Sequence, residues 1–199
     1  NMLYKSPFKH LVKNNFLDKK ILNYLKNNNL KKISVRGDII LKNPNSSKKR
    51  FLTRVVNHNK LNSDFDNEIK DLYKNLFNFL RTKFNKKFFQ DLGIDPKMMN
   101  KGYYSIIHAW DKPGFHMKPH VDTERKIWTG IIYLFSNGKK NDGCTSLTNK
   151  NYTKDIIPEY NKLLAFKRDD LAVHFVKKNK IEREIMLINF NKKINEKKS

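Results

Sequence analysis

His120-Val121-Asp122 places an imidazole and a carboxylate two residues apart, and on a β-strand residues so spaced project to the same face. With the lone His174 further along, they form a candidate two-histidine, one-carboxylate set, the facial arrangement that holds non-haem Fe(II) and leaves positions open. An iron held this way offers its opposite face to a bidentate co-substrate and dioxygen. A keto acid chelating through its keto oxygen and adjacent carboxylate keeps a distal carboxylate, which needs a cation and a hydrogen bond in a dry interior. Arg183 is the candidate, because a guanidinium grips a carboxylate with two parallel donors, as none of the many lysines can. Taken singly, each residue has a plainer explanation: a satisfied structural histidine, a turn carboxylate, a surface ion pair. Their order along the chain makes the joint reading the stronger one. His108 is read as packing on its own strand and His116 as part of a substrate-side loop, neither as a ligand.

The elements that must position these groups divide near Gly102, where the period changes from helical to extended. Before it, residues around Phe8 to Val12 alternate as a short strand, Asp18 can cap a helix carrying Ile21, Leu22 and Leu25, and Ile33 to Leu41 looks extended. Asn43 to Lys49 reads as a loop and Arg50 to Val56 as a further strand. The clearest helix is expected from Ser63 or Asp64, with Asp66 and Glu68 in its first turn. Its stripe is Ile69, Leu72, Tyr73, Leu76, Phe77, Leu80 and Phe84, and Gly93 and Pro96 punctuate its end. After Gly102 come short strands: Tyr103 to Trp110, His120 to Asp122, Ile127 to Phe135, Thr145 to Leu147, Lys162 to Phe166, Ala172 to Val176 and Arg183 to Phe190. Many strands at regular spacing argue for an α+β, mainly β fold of sandwich, barrel or jelly-roll type. The expected organisation is one domain over 1–199: a helical support region at 1–100, the core at 101–191 and a basic tail at 192–199.

Composition bounds the partners. With 199 residues, 38% of them hydrophobic and fourteen Phe, the chain can bury a core of its own. No apolar run suits a membrane span, and no signal-peptide pattern opens the chain. The single cysteine, Cys144, excludes an internal disulfide and fits a reducing, cytoplasmic setting, where Fe(II) also stays reduced. A formal charge of +23 raises a competing class, a basic nucleic-acid-binding module, or an oxygenase acting on nucleic acid. Most of the charge is lysine scattered through an asparagine-rich background, a pattern that coding bias also produces, and no stripe of interleaved aromatic and basic residues marks a nucleotide channel.

The motifs resemble those of the Fe(II)- and 2-oxoglutarate-dependent dioxygenases, in particular the prolyl-4-hydroxylase-like branch. Pro7-Phe8-Lys9-His10-Leu11-Val12 to Phe16-Leu17 is similar to the opening strand and helix of that branch, and Pro113-Gly114 to Pro119-His120-Val121-Asp122 to its metal-strand motif. Thr129 to Leu134 resembles the next strand, and Gly143 to Leu147 the usual glycine-glycine segment with Asp142 at the first glycine. Asn161 to Phe166 leads to His174 in the same way. The resemblance implies a double-stranded β-helix (jelly roll) with an N-terminal strand and supporting helices, in which the strands of His174 and Arg183 lie in facing sheets. It implies His120, Asp122 and His174 as metal ligands and catalytic centre, and Arg183 as the co-substrate arginine. Tyr133 falls where relatives bond the distal carboxylate, Trp110 where many have a tyrosine, and Thr129 is a further co-substrate candidate. Fe(II) and 2-oxoglutarate are the implied cofactors, with ascorbate a candidate reductant. The presence of Asp122 favours hydroxylation over halogenation, since related halogenases lack that carboxylate. The substrate is left open between a peptide, with a prolyl side chain as the family-weighted guess, and a small molecule, because the loops expected to frame the mouth, Asp111 to Pro119 and Gly138 to Pro158, carry no diagnostic pocket.

Overall fold

The computed structural model describes residues 2–36, 49–53, 55–57, 65–136 and 142–193. Thirteen strands among them are β1 (Met2–Tyr4), β2 (His10–Lys13), β3 (Val35–Arg36), β4 (Arg50–Leu52), β5 (Val56–Asn57), β6 (Gly102–Asp111), β7 (Met117–His120), β8 (Lys126–Ser136), β9 (Thr145–Thr148), β10 (Thr153–Ile156), β11 (Lys162–Lys167), β12 (Val173–Val176) and β13 (Arg183–Lys192). They form a nine-stranded sheet in the order β1-β2-β11-β8-β13-β6-β4-β3, with β5 also on β6, and a four-stranded sheet in the order β10-β9-β12-β7. Consecutive strands β12 and β13 lie in different sheets, so the Lys177 to Lys180 connection is a crossover rather than a hairpin. This is the jelly-roll arrangement the resemblance implied.

Three helices cover one face of the large sheet. Helix α1 (Lys19–Asn27) begins where the Asp18 carboxylate accepts the Ile21 N–H at 2.9 Å. Helix α2 (Asn67–Lys83) buries Ile69, Leu72, Tyr73, Leu76, Phe77 and Leu80, and each large apolar side chain taken from water contributes about 2 kcal/mol. Its cap is Asp66, so the helix starts later than expected; Ser63 and Asp64 lie outside the described residues. The long helical stretch also divides. At Asn85 the side chain accepts the Phe88 N–H and starts a separate helix, α3 (Lys86–Asp91), which turns Phe84 and Phe88 together onto Trp128.

Other boundaries differ from the periodicity. The extended segment expected from Ile33 is a 3-10 turn at Leu30–Ile33 followed by β3, its remainder lying outside the described residues together with the 43–48 loop and 194–199. Arg50 to Val56 is two short strands, and the stretch expected as loop before Pro158 contains β10 paired along β9. Residues before Gly102 therefore supply five strands as well as helices.

Alternation along the strands sorts the large sheet into two faces. Tyr104, Ile106, Trp110, Trp128, Ile132, Leu134, Met186, Ile188 and Phe190 face the helices. Ala109, Ile131, Tyr133, Leu164, Phe166 and Ile185 face the small sheet, where they meet Leu147 and Ile156.

Candidate metal centre

Strands β7 and β12 are antiparallel partners with His120 directly opposite His174, and cross-strand neighbours share a face. Their ring centroids are 4.3 Å apart. The pairing ends there, so the chain leaves the sheet after His120 and Asp122 sits in the following loop rather than on the strand. Its carboxylate is returned to the histidines by contacts: the Thr129 hydroxyl on β8 donates to Oδ2 at 2.6 Å, and Lys126 Nζ pairs with Oδ1 at 2.6 Å. One ligand atom from each of His120, Asp122 and His174 lies within 4.8 Å of the others, and among the described residues no other such cluster of three occurs.

The protonation pattern suits a divalent metal. Nδ1 of His120 lies 2.9 Å from the Lys118 carbonyl and Nδ1 of His174 lies 3.1 Å from the Ala172 carbonyl. A carbonyl oxygen only accepts, so both Nδ1 atoms carry the proton and both Nε2 lone pairs are left for a metal. Burial strips water from His174 and, against the pull of Asp122, pushes its pKa down to about 4, which keeps the ring neutral near pH 7. Burial works the other way on Asp122, but the charge of Lys126 and hydrogen bonds from Lys126 and Thr129 outweigh it and hold the carboxyl below its ordinary range. Two imidazole nitrogens and one carboxylate oxygen fit Fe(II). Lys126 is the discordant member, a cation on one of the two oxygens that Asp122 offers.

Arg183 is almost wholly buried at the start of β13, on the interior face. Its Nε and Nη2 donate to Asp111 Oδ2 at 2.9 and 2.7 Å, and its Nη1 donates to the Gly143 carbonyl at 2.7 Å. Tyr133 is fully buried beside it and donates to Thr145 Oγ1 at 2.7 Å; burial pushes the phenol up to about 12, partly offset by Arg183. Thr145 is two residues along β9 from Leu147, the cross-strand partner of His174, so this polar group stands about 7 Å along the strand from the histidines.

The remaining candidates are placed differently. Thr129 is spent on Asp122 and Asn189, with the Asn189 oxygen at 3.3 Å. Trp110 belongs to the helix-side core and stacks on His108 at 5.3 Å, because its parity on β6 is opposite to that of Asp111. His108 is buried there with Glu184 Oε1 at 3.3 Å, and His116 is exposed. Sequence reasoning missed Asp111, Arg50 and Lys126. A lone carboxylate ending the otherwise apolar β6 was the available signal for Asp111; nothing local marks Arg50.

No protein-family profile matches the chain, and no curated protein matches it in sequence. Solved structures do. A prolyl-4-hydroxylase from Pseudomonas putida superposes with a TM-score of 0.66 at 14% identity, covering 92% of each chain. A prolyl hydroxylase from Trichoplax adhaerens, in complex with a hypoxia inducible factor oxygen degradation domain peptide fragment, gives 0.65 at 16% identity over 92% of this chain and 83% of its own. The viral collagen prolyl hydroxylase of Paramecium Bursaria Chlorella virus-1, as its 2OG complex, gives 0.56 at 17% identity over 93% and 96%. The chain has the fold of the prolyl-4-hydroxylase-like 2-oxoglutarate and Fe(II) oxygenases.

Proposed function

We propose that the chain is an Fe(II)- and 2-oxoglutarate-dependent oxygenase that hydroxylates a peptide, with a prolyl side chain as the first substrate to try. The observation that carries the reading is the convergence of His120, Asp122 and His174 with both histidine Nε2 atoms left as acceptors. The shared fold supports it, and the peptide held by the Trichoplax adhaerens neighbour supports the substrate class.

His120 and His174 would hold the metal as neutral ligands and Asp122 as the anionic one, with Thr129 fixing the carboxylate plane. Arg183, Tyr133 and Thr145 form the polar end that would take a distal carboxylate. Ile131, Leu147, Leu164, Phe166 and Ile185 wall the interior and exclude water. When bound, Fe(II), 2-oxoglutarate and dioxygen supply the oxidant that converts a substrate C–H to C–OH, with carbon dioxide and succinate as the other products. A reducing, cytoplasmic setting belongs to the same reading. Among the described residues no helix is long and apolar enough to cross a membrane.

Purified protein given Fe(II), ascorbate and 2-oxoglutarate is expected to form succinate slowly without substrate, and faster with a proline-containing peptide that gains one oxygen by mass spectrometry. No succinate together with no metal binding overturns the oxygenase reading. Succinate without any gain of oxygen across peptide pools overturns the peptide assignment alone.

A further inference from the structure

Arg183 does not stand alone in the interior. Asp111, whose side chain is 0% exposed, takes the Nε and Nη2 edge of Arg183 on one side and the Nε and Nη2 edge of Arg50 on the other, at 2.5 Å to Oδ1 and 2.8 Å to Oδ2. Arg50 is itself buried, with its guanidinium 4.0 Å over the Phe115 ring. Burial alone would push the Asp111 carboxyl up; Arg50 and Arg183 outweigh it and hold the group ionised. A guanidinium has five N–H donors. Three of those on Arg183 are spent, two on Asp111 and one on the Gly143 carbonyl, so one remains on Nη1 and one on Nη2. The side edge of the guanidinium is closed, and the two remaining N–H groups are the ones a carboxylate could take. The charges matter equally. An Asp111–Arg183 pair by itself would be neutral, and a neutral pair offers little to an incoming anion. Adding Arg50 leaves two guanidiniums against one carboxylate, a single net positive charge in a water-poor interior.

Resting on the oxygenase reading above, we infer that Asp111 and Arg50 are positioning residues for Arg183: Asp111 orients its free end, and Arg50 restores the net charge through which the pocket selects a keto acid bearing a distal carboxylate. Arg50 need not touch that acid to do so.

The test is calorimetric binding of 2-oxoglutarate and of 2-oxobutyrate, which lacks the distal carboxylate, to the full chain loaded with Mn(II). Wild-type protein is expected to prefer 2-oxoglutarate. R50M makes the cluster neutral and should reduce that preference by at least about tenfold, the scale of one charge-assisted contact, while 2-oxobutyrate affinity is unchanged. R50K keeps the charge and should keep the preference. R50M/D111N returns the cluster to one positive charge, leaves an amide oxygen to orient Arg183, and should recover the preference to within about threefold of wild type. A purely structural role predicts instead that both acids weaken in parallel and that the double variant is no better than R50M, and either result overturns the inference. If circular dichroism shows R50M unfolded, the double variant decides, since it buries no carboxylate whose Oδ1 has lost its donor. Recovery there supports the inference and collapse of the preference overturns it. Metal-loaded wild-type protein that binds neither acid sinks the oxygenase reading itself; wild-type binding with an unchanged R50M sinks only the role of Arg50.

Discussion

The two faces of β13 differ in kind although they share one strand. Met186, Ile188 and Phe190 face the helices in a dry core where Phe84, Phe88, Phe89 and Tyr104 surround the fully buried Trp128, the Phe84 ring at 4.7 Å. Arg183, Asn189 and Asn191 lie on the other face and spend their polar groups on Asp111, Thr129 and Ser105. The helix side holds the sheet rigid with non-directional burial. The interior side holds a directional network that leaves two histidine lone pairs and the end of one guanidinium for ligands. One strand can serve both because its period of two sends alternate side chains to opposite environments.

Changes on the helix side should therefore remove mainly stability, and changes on the interior side mainly binding. Phe84→Ala, which deletes the ring stacked against Phe16 and edge-on to Trp128, is expected to cost about 3–5 kcal/mol in urea unfolding. The folded fraction should keep its metal affinity, and a matching loss of metal binding would break the comparison. His174→Ala is expected to weaken Fe(II) or Co(II) binding by more than about a hundredfold, since even residues behind the ligands are worth 10–100-fold. Its unfolding midpoint should move far less than that of Phe84→Ala.

Acid should weaken the interior network through Asp111. Its folded-state pKa lies below the ordinary 3.8, so between the two values the unfolded chain binds the proton and the folded chain does not. The stabilisation is therefore fully present above about 4 and is lost as pH falls below it. Circular dichroism should show wild-type stability falling more steeply below pH 4 than that of Asp111→Asn, and parallel profiles would remove the assignment. The smallest expected effect belongs to Lys126→Met. Removing the cation that pairs with Asp122 Oδ1 should strengthen metal binding by about two- to fivefold, the range of a partly exposed ion pair, and weaker binding would show that Lys126 supports the centre.

Much of the candidate site could be read along the chain because its residue types are chemically unusual where they stand. A lone histidine on an apolar strand and a histidine-x-aspartate beside Pro119 need no partner to be noticed, and Asp18 and the stripe of α2 are similarly local. The conformation of the motif was not legible. Strand alternation predicted a shared face for His120 and Asp122, yet β7 ends at His120 and Asp122 is brought in by Thr129 and Lys126. Trp110 and Asp111 show the limit most sharply, because adjacent residues on one strand face opposite sides and register alone decides which looks inward.

What the sequence by itself determined is the inventory: the candidate ligands, the candidate arginine, the periodicities and the order that resembles a prolyl-4-hydroxylase-like oxygenase. Only the tertiary structure decided the partners of that arginine. Asp111 meets Arg50 across 61 residues and Arg183 across 72, and no local propensity encodes such a contact. It exists because β6 lies between β4 and β13, so that Arg50, Asp111 and Arg183 come level in adjacent strands with their charges turned into one interior.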